Sequence, residues 1–320
     1  MKAIVAAANG GPEVLEIAEV ETPRPGPGQL LVEVAAVGVN YIETYQREGI
    51  YPTVLPFTPG AESSGTVVAL GAGVTEFAVG DRVASAEGSQ SYAEFTLIDA
   101  NKALRVPDGL DAATAAALPL QGITAHYLVN STFPVQSGQT VLVHAGAGGV
   151  GLLIIQMLKA KGATVITTVS TDEKAALASE AGADHVLRYP GFAAAVRELT
   201  AGRGVDVVFD GVGKDTFDGS LDSLKVRGTL VLYGAASGPV PPFDIQRLNR
   251  GGSLFLTRPT MAAYLLDAEE RRWRAAEVFD AVADGSLSVR IGASYPLADA
   301  AQAHRDLQGR KTTGKVLLKP

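Results

Sequence analysis

The chain contains no cysteine. That absence excludes disulfides, thiolate nucleophiles, zinc ribbons and iron–sulfur clusters, each of which needs a sulfur ligand. Histidine is scarce as well: there are four, His126, His144, His185 and His304, and no two are spaced to ligate from one helix face. No metal site is expected, since an ion would have to be held by oxygen atoms and lone imidazoles. Charge is sparse: Asp, Glu, Lys and Arg make up 19% of 320 residues, against about 25% in soluble proteins. With 27 basic and 34 acidic residues, a formal net charge of -7 and no basic run, the footprint of a duplex-binding protein is missing, so nucleic acid is not an expected partner. Long apolar runs are lacking too. The longest, around Val150 to Leu158, is broken by Gly151 and Gln156 and falls short of the ~20 residues of a membrane span. The stretch Ala3 to Ala8 ends at Asn9-Gly10-Gly11-Pro12, too short for a signal peptide. The expected location is the cytoplasm, without membrane attachment.

What is present is glycine, 36 residues, and a hydrophobic share of 47% that allows a sizeable core. The length suits two domains. Up to about residue 110 the chain reads as short strands between turns: Lys2–Ala7, Val14–Val20, Gln29–Val37, Ser64–Leu70, Arg82–Ala84 and Tyr92–Ile98. Gly, Pro and Asn punctuate them. Helices are expected over Asp111–Ala117, opened by an Asp cap, and over Ile123–Asn130. From Gln139 the rhythm changes to apolar strand, helix, apolar strand: Thr140–His144, Gly151–Lys161, Thr164–Val169, Glu173–Ala181, His185–Arg188, Phe192–Thr200, Val205–Phe209, Thr216–Lys225, Thr229–Tyr233 and Ser253–Leu256. Strands that are apolar throughout and alternate with helices indicate a parallel sheet covered on both faces. Helices over Asp267–Asp284 and Asp299–Gly309 and a strand over Gly314–Leu318 follow; too short for a domain, this tail is expected to return to the β-rich unit.

The segment His144-Ala-Gly-Ala-Gly-Gly-Val-Gly151 follows one of these strands and opens a helix, so Gly146, Gly148 and Gly151 fit G-x-G-x-x-G in its proper context. The first glycine permits the tight turn, the second lets backbone approach a pyrophosphate, and the third packs helix on strand. The helix N-terminus supplies free N–H groups for the phosphates. At the end of the next strand, where an acid would hold a ribose 2′-hydroxyl, stands Ser170, followed by Thr171, Asp172, Glu173 and Lys174. A small hydroxyl with a nearby ammonium suits a 2′-phosphate, hence NADPH over NADH. Asp172 is the counter-argument, but as the expected cap of the helix starting at Glu173 its carboxylate points at that helix's own N–H groups.

A β-rich unit, a Rossmann unit and a short return segment resemble the medium-chain dehydrogenase/reductases over essentially the whole chain. The stretches Gly38-Val-Asn-Tyr-Ile-Glu-Thr-Tyr45, Pro59-Gly-Ala-Glu-Ser-Ser-Gly65, Gly80-Asp-Arg-Val83, Leu120-Gln-Gly-Ile-Thr-Ala-His-Tyr127, Val143–Gly151 and Asp210-Gly-Val-Gly213 narrow the resemblance to the zinc-free, zeta-crystallin-like NADPH:quinone oxidoreductases. It implies an α/β fold: a doubly wound parallel Rossmann sheet over 123–261, and a mostly β GroES-like catalytic domain from 1–122 and 262–320. Zinc-dependent relatives carry Gly-His-Glu and cysteine ligands; here Gly60-Ala61-Glu62 stands instead, which favours acceptors that take hydride without a Lewis acid. The family's NADPH contacts fall on Tyr41 to Tyr45, Tyr127, Gly149, Val150, Ser170 to Lys174, Tyr189, Val212, Gly234, Ala235, Ala236, Ser237, Pro259, Thr260, Met261 and Arg310, with Ser170, Lys174 and Tyr189 around the 2′-phosphate. Asn40, Tyr45 and Tyr51 are expected at the nicotinamide end. Plainer readings stand beside these: Tyr189 as cover for a strand end, Arg310 with Lys311 as a solvated charge pair, Tyr45 as core, Glu62 as a structural remnant. No Ser-His-Asp arrangement is readable.

The expected activity is hydride transfer from NADPH to a quinone or comparable flat electrophile. Reduction of an enone or alkenal is the second reading, and an NADPH-binding redox sensor without significant turnover the third. Ser253–Thr257 reads as the sheet's last strand; an apolar edge left bare invites aggregation, so a homodimer joined through the Rossmann edge strands is expected.

Overall fold

A computed structural model describes residues 1–320, which divide into two units, Met1–Gly122 with Asp267–Pro320 and Ile123–Leu266. The first unit opens with an antiparallel pair, β1 (Lys2–Ala6) and β2 (Leu15–Glu19). Its main sheet is built on β3 (Gln29–Val39), whose Val, Leu and Ala residues are mostly buried. Such a strand needs neighbours on both edges, and it pairs antiparallel with β4 (Glu62–Leu70) and β6 (Phe95–Asp99). Beyond β4 lie β5 (Arg82–Ser85) and β7 (Leu104–Arg105). The helix α1 (Tyr41–Arg47) follows β3 directly, and α2 (Ala112–Ala117) is capped by Asp111, whose carboxylate accepts the Thr114 N–H at 2.9 Å.

The chain enters the second unit through α3 (Pro119–Tyr127), which continues as a wider π turn over Leu128–Thr132. The expected start at Ile123 is too late, because a proline is well suited to a helix's first position, where its missing N–H costs nothing. There follow β8 (Thr140–His144), α4 (Gly149–Ala160), β9 (Thr164–Val169), α5 (Asp172–Glu180), β10 (His185–Arg188), α6 (Phe192–Leu199), β11 (Val205–Asp210), α7 (Phe217–Ser223), β12 (Leu224–Leu232), α8 (Gln246–Arg250) and β13 (Phe255–Thr257). All six strands run parallel in the order β10-β9-β8-β11-β12-β13, the doubly wound Rossmann arrangement with its switch point between β8 and β11. β8 and β11 are buried along their whole length, as an apolar strand covered on both faces must be. The helix expected up to Lys225 stops at Ser223, and β12 begins at Leu224.

The tail comprises α9 (Ala268–Ala283), capped by Asp267, then β14 (Ile291–Pro296), α10 (Ala300–Gln308) and β15 (Lys315–Lys319). β15 pairs antiparallel with β3 and carries β14 on its other edge, so the tail completes the first unit's sheet. Residues 262–266 stay with the second unit instead of joining the tail at 262, because Tyr264 stacks on Tyr127 with ring centroids 4.4 Å apart.

Candidate functional site

Because the six strands of the second unit are parallel, every loop that leaves a strand's C-terminal end emerges on the same edge of the sheet. The expected cofactor positions of this unit occupy those loops in turn: Gly146–Gly151 after β8, Ser170–Lys174 after β9, Tyr189 after β10, Val212 after β11, Gly234–Ser237 after β12 and Pro259–Met261 after β13. Tyr127 alone lies elsewhere in sequence, and its stacking partner Tyr264 belongs to the turn that Met261 opens.

At the first loop the left-handed residue is Ala145, with φ 55°. The tight turn therefore does not depend on Gly146, contrary to expectation. Gly146 is needed for a different reason, since a Cβ there would overlap the Thr167 hydroxyl. A Cβ at Gly151 would overlap the Ala145 carbonyl oxygen, so helix and turn meet backbone to backbone. Gly148 is the N-cap of α4, in extended conformation, and no side chain caps the helix. The leading N–H groups of Gly149, Val150 and Gly151 thus have no side-chain cap at the positive end of a helix dipole, which fits an anionic group such as a pyrophosphate.

The second loop departs from expectation in its cap. Thr171 is the N-cap of α5, its hydroxyl accepting the Lys174 N–H at 3.3 Å. Asp172 is already helical, and its carboxylate is ion-paired with Arg188, which also donates to the Thr171 carbonyl at 2.5 Å. The extended Thr171 brings its hydroxyl over the first turn, leaving Asp172 to face β10. The carboxylate that argued for NADH is therefore already engaged by a guanidinium, and Lys174 stands half-buried beside the exposed Ser170 and Thr171. Arg188 was not singled out in the sequence; its position at the end of the strand neighbouring β9 is the signal that could have found it. Tyr189 lies nearly parallel to the His144 ring, with centroids 6.3 Å apart, in keeping with the strand-covering reading. The loops after β11 and β12 are stitched together: the Ser237 N–H and hydroxyl both donate to the Val212 carbonyl at 2.8 Å, and the Ala236 N–H to that of Gly211 at 3.2 Å. Gly234 has no room for a Cβ against the Gly211 backbone, while Thr260 caps a short 3-10 turn from Met261 behind the buried Pro259.

In the first unit α1 has two chemical faces. Tyr41 and Tyr45, i and i+4, share one face; the Tyr45 ring is 5.9 Å from that of Tyr41 and 5.5 Å, edge-on, from that of Tyr51. Tyr45 is half-buried and so is not core. Burial raises the Tyr41 phenol above its usual range, with the Arg310 guanidinium pulling the other way. Arg310, left-handed at φ 56° in the turn after α10, is thereby placed near the tyrosines.

The other face of α1 carries Glu43 and Arg47, both fully buried. Arg47 donates to His304 Nδ1 at 3.1 Å, His304 Nε2 lies 3.0 Å from the Tyr92 hydroxyl, and Tyr92 donates to Glu43 Oε2 at 3.2 Å. The Asn40 N–H donates to the same oxygen. Burial pushes the Glu43 carboxyl up to about 8, and its Oε1 has no partner, the atom on which the retained proton would sit. Burial, with Arg47 adding to it, pushes His304 down to about 3.

Asn40, expected among the reacting groups, is 5% exposed and engaged within this interior. Its amide donates to Glu62 Oε2 at 2.7 Å and to the Gly38 carbonyl at 3.2 Å, and its oxygen accepts from Lys315 Nζ at 2.8 Å. Lys315 also pairs with Glu62, both side chains fully buried, and Glu62 Oε1 accepts the Leu120 N–H at 2.7 Å. A Cβ at Gly38 would overlap that carboxylate. Asn40 holds the turn that launches α1 and is not presented outward with Tyr45 and Tyr51. No group of three or more His, Asp or Glu side chains is placed to hold a metal ion.

Comparison with known proteins agrees with this geometry. Residues 26–129 match the alcohol dehydrogenase GroES-like domain and residues 149–278 the zinc-binding dehydrogenase family. A quinone oxidoreductase of Pseudomonas aeruginosa is 44% identical over 100% of this chain and 99% of its own. A 2-haloacrylate reductase of a Burkholderia species is 42% identical over 97% and 96%. A mycobacterial protein solved as a complex with NADPH is 54% identical, covers 100% of both chains and superposes with a TM-score of 0.98. The chain belongs to the medium-chain dehydrogenase/reductase family of oxidoreductases, within the branch that contains the quinone oxidoreductases.

Proposed function

We propose that this protein is an NADPH-dependent reductase of quinones. The observation that carries the cofactor is the environment after β9: hydroxyls at Ser170 and Thr171, the Lys174 ammonium, and an Asp172 ion-paired with Arg188. A 2′-phosphate gains charge-assisted hydrogen bonds in such surroundings. The similarity to a structure solved with NADPH supports the same choice. When bound, the cofactor supplies a hydride.

The chain's own groups bind and orient. The α4 N-terminus holds the pyrophosphate, and Tyr45 and Tyr51 offer phenols that stack on a flat acceptor and donate hydrogen bonds to its oxygen atoms. Asn40, Glu62 and Lys315 hold the start of α1 and act as positioning residues. With no ligand set for a Lewis acid among its side chains, the protein suits an acceptor that takes hydride readily. Carbon–carbon double-bond reduction is the second reading, favoured by the 2-haloacrylate reductase similarity.

Loss of NADPH absorbance, measured with a panel of quinones, a panel of enones and no acceptor, separates the two. Turnover at least tenfold faster on the best quinone than on the best enone is expected. The reverse ranking supports the second reading, and no turnover on either panel rejects both.

A further inference from the structure

β9, β8 and β11 lie side by side, and each carries a fully buried polar residue at or next to its C-terminal end: Thr168, His144 and Asp210. Ser220 of α7, also fully buried, completes the group. His144 Nδ1 lies 2.7 Å from the Thr168 hydroxyl and Nε2 lies 3.0 Å from the Ser220 hydroxyl, while Ser220 is 2.8 Å from Asp210 Oδ2. Serine, histidine and aspartate do meet here, although the sequence shows no such arrangement. The serine sits between the other two and is sealed from solvent, so the order and access of a nucleophilic triad are both missing.

With the imidazole neutral, as burial favours, donor counting fixes the protons in this chain. A carboxylate only accepts, so Ser220 must spend its single hydrogen on Asp210. Ser220 therefore accepts from His144 Nε2–H, and Nδ1, left bare, accepts from Thr168. The imidazole is neutral, consistent with the downward push of burial on His144, which the Asp210 charge opposes. Each end of the chain reaches a loop. Asp210 Oδ1 accepts the N–H groups of Val212 and Gly213 at 2.8 and 3.0 Å, and the Thr216 hydroxyl closes over the carboxylate at 2.8 Å. At the other end the Thr168 carbonyl accepts the Gly146 N–H at 3.1 Å, and His144 itself precedes the left-handed Ala145.

We propose that Thr168, His144, Ser220 and Asp210 are positioning residues that hold the loops after β9, β8 and β11 in one mutual register for the dinucleotide. The inference rests on the reading that these loops take the cofactor. Its physical core is that every link of this chain is fully buried and partnered, so losing one leaves a buried polar atom unpaired and disturbs all three loops.

The test compares Thr168→Val, which removes the hydroxyl at nearly constant volume, with Thr168→Ser, which keeps it, and with Ser220→Ala. Amide hydrogen exchange of the ligand-free protein and the Kd of NADPH are both measured. Thr168→Val and Ser220→Ala are expected to speed exchange about tenfold or more over 145–151, 170–174 and 211–213 alike and to raise Kd about tenfold, with Thr168→Ser within about threefold of the parent. Faster exchange in only the loop nearest the substitution, or in none, overturns the proposal. A parent protein that does not bind NADPH rejects the cofactor reading instead, and the exchange comparison still decides whether the cluster couples the loops.

Discussion

Replacing Glu43 with glutamine should change the pH dependence of stability more than the stability itself at mildly acidic pH. In the folded protein this carboxyl is fully buried and pushed up to about 8; in the unfolded chain it titrates near 4.3. The native state therefore keeps a proton that the unfolded state releases, and stability falls as pH rises from about 4.5 to 8. The slope approaches ~1.4 kcal/mol per pH unit and the total is on the order of 5 kcal/mol. His304 works in the opposite direction. Pushed down to about 3, from an unfolded value near 6.5, it contributes stability that is present above about 6.5 and is lost as pH falls toward 3. Between roughly 4.5 and 6.5 the two slopes oppose each other, and their combined contribution is greatest there. Glutamine can still accept from the Asn40 N–H and the Tyr92 hydroxyl but carries no titrating proton. Trp273 is the only tryptophan and lies in the same unit as Glu43, so its emission during urea unfolding reports the relevant transition. Across pH 5 to 9 the stability of Glu43→Gln relative to the parent should climb and then level off above about 8.5. A difference constant to within ~0.5 kcal/mol over that range would refute the reasoning.

Lys174→Ala should lower kcat/KM for NADPH about 10- to 150-fold, the worth of a charge-assisted phosphate contact, with NADH little changed; equal losses with both cofactors would make Lys174 structural. Under the quinone reading Tyr45→Phe and Tyr51→Phe each cost at most about tenfold in kcat/KM, the value of one hydrogen bond, whereas a loss above about a thousandfold with NADPH affinity intact would mark that tyrosine as the proton donor of an enone reductase. β13 is the outermost strand of its sheet and its Phe255 is 60% exposed, so we expect sedimentation at micromolar concentration to show a homodimer paired through this edge; a fully active monomer would reject that arrangement.

Much of the second unit was legible because its signals are local. β8 and β9 are uninterrupted runs of residues that suit a buried strand, and they fall on their expected bounds, as does the less buried β10. The glycine motif was legible for the same reason, though the sequence could not show that Ala145 would take the left-handed position. The cap of α5 was misassigned because Thr171 and Asp172 are adjacent and equally able to cap; Arg188, sixteen residues away, decides between them by engaging the aspartate. β14 was missed because Gly292 and Pro296 disguise a short strand. What no local pattern could reveal is the interior of the first unit. Lys315 meets Glu62 across 253 residues and His304 meets Tyr92 across 212. Each of these residues, read alone, is an ordinary surface-type side chain, and only the closing of β15 on β3 makes them partners.

Two of the three buried histidines, His144 and His304, are held at both ring nitrogens. In each, Nδ1 accepts from a group that can only or must donate, Arg47 for His304 and Thr168 for His144, and Nε2–H is committed to a hydroxyl that passes its own proton to a carboxyl. Both imidazoles are locked neutral, and burial drives both down in pKa. Neither can take up or deliver a proton near pH 7 without breaking its chain. Glu43 holds a proton but is sealed behind α1, and Glu62 is bound to Lys315. The groups left on the outer face of that helix are phenols: Tyr41 with its pKa raised by burial, the half-buried Tyr45, and Tyr51 on the loop beyond. A phenol that stays protonated through neutral pH donates a hydrogen bond readily and gives up its proton with difficulty. Such a set is adequate for an acceptor whose added electrons finish on oxygen, where solvent can supply the proton, whereas an acceptor protonated on carbon would need one of these phenols as its acid. The proposed quinone reading therefore asks less of these side chains than the double-bond reading, which needs a positioned proton donor.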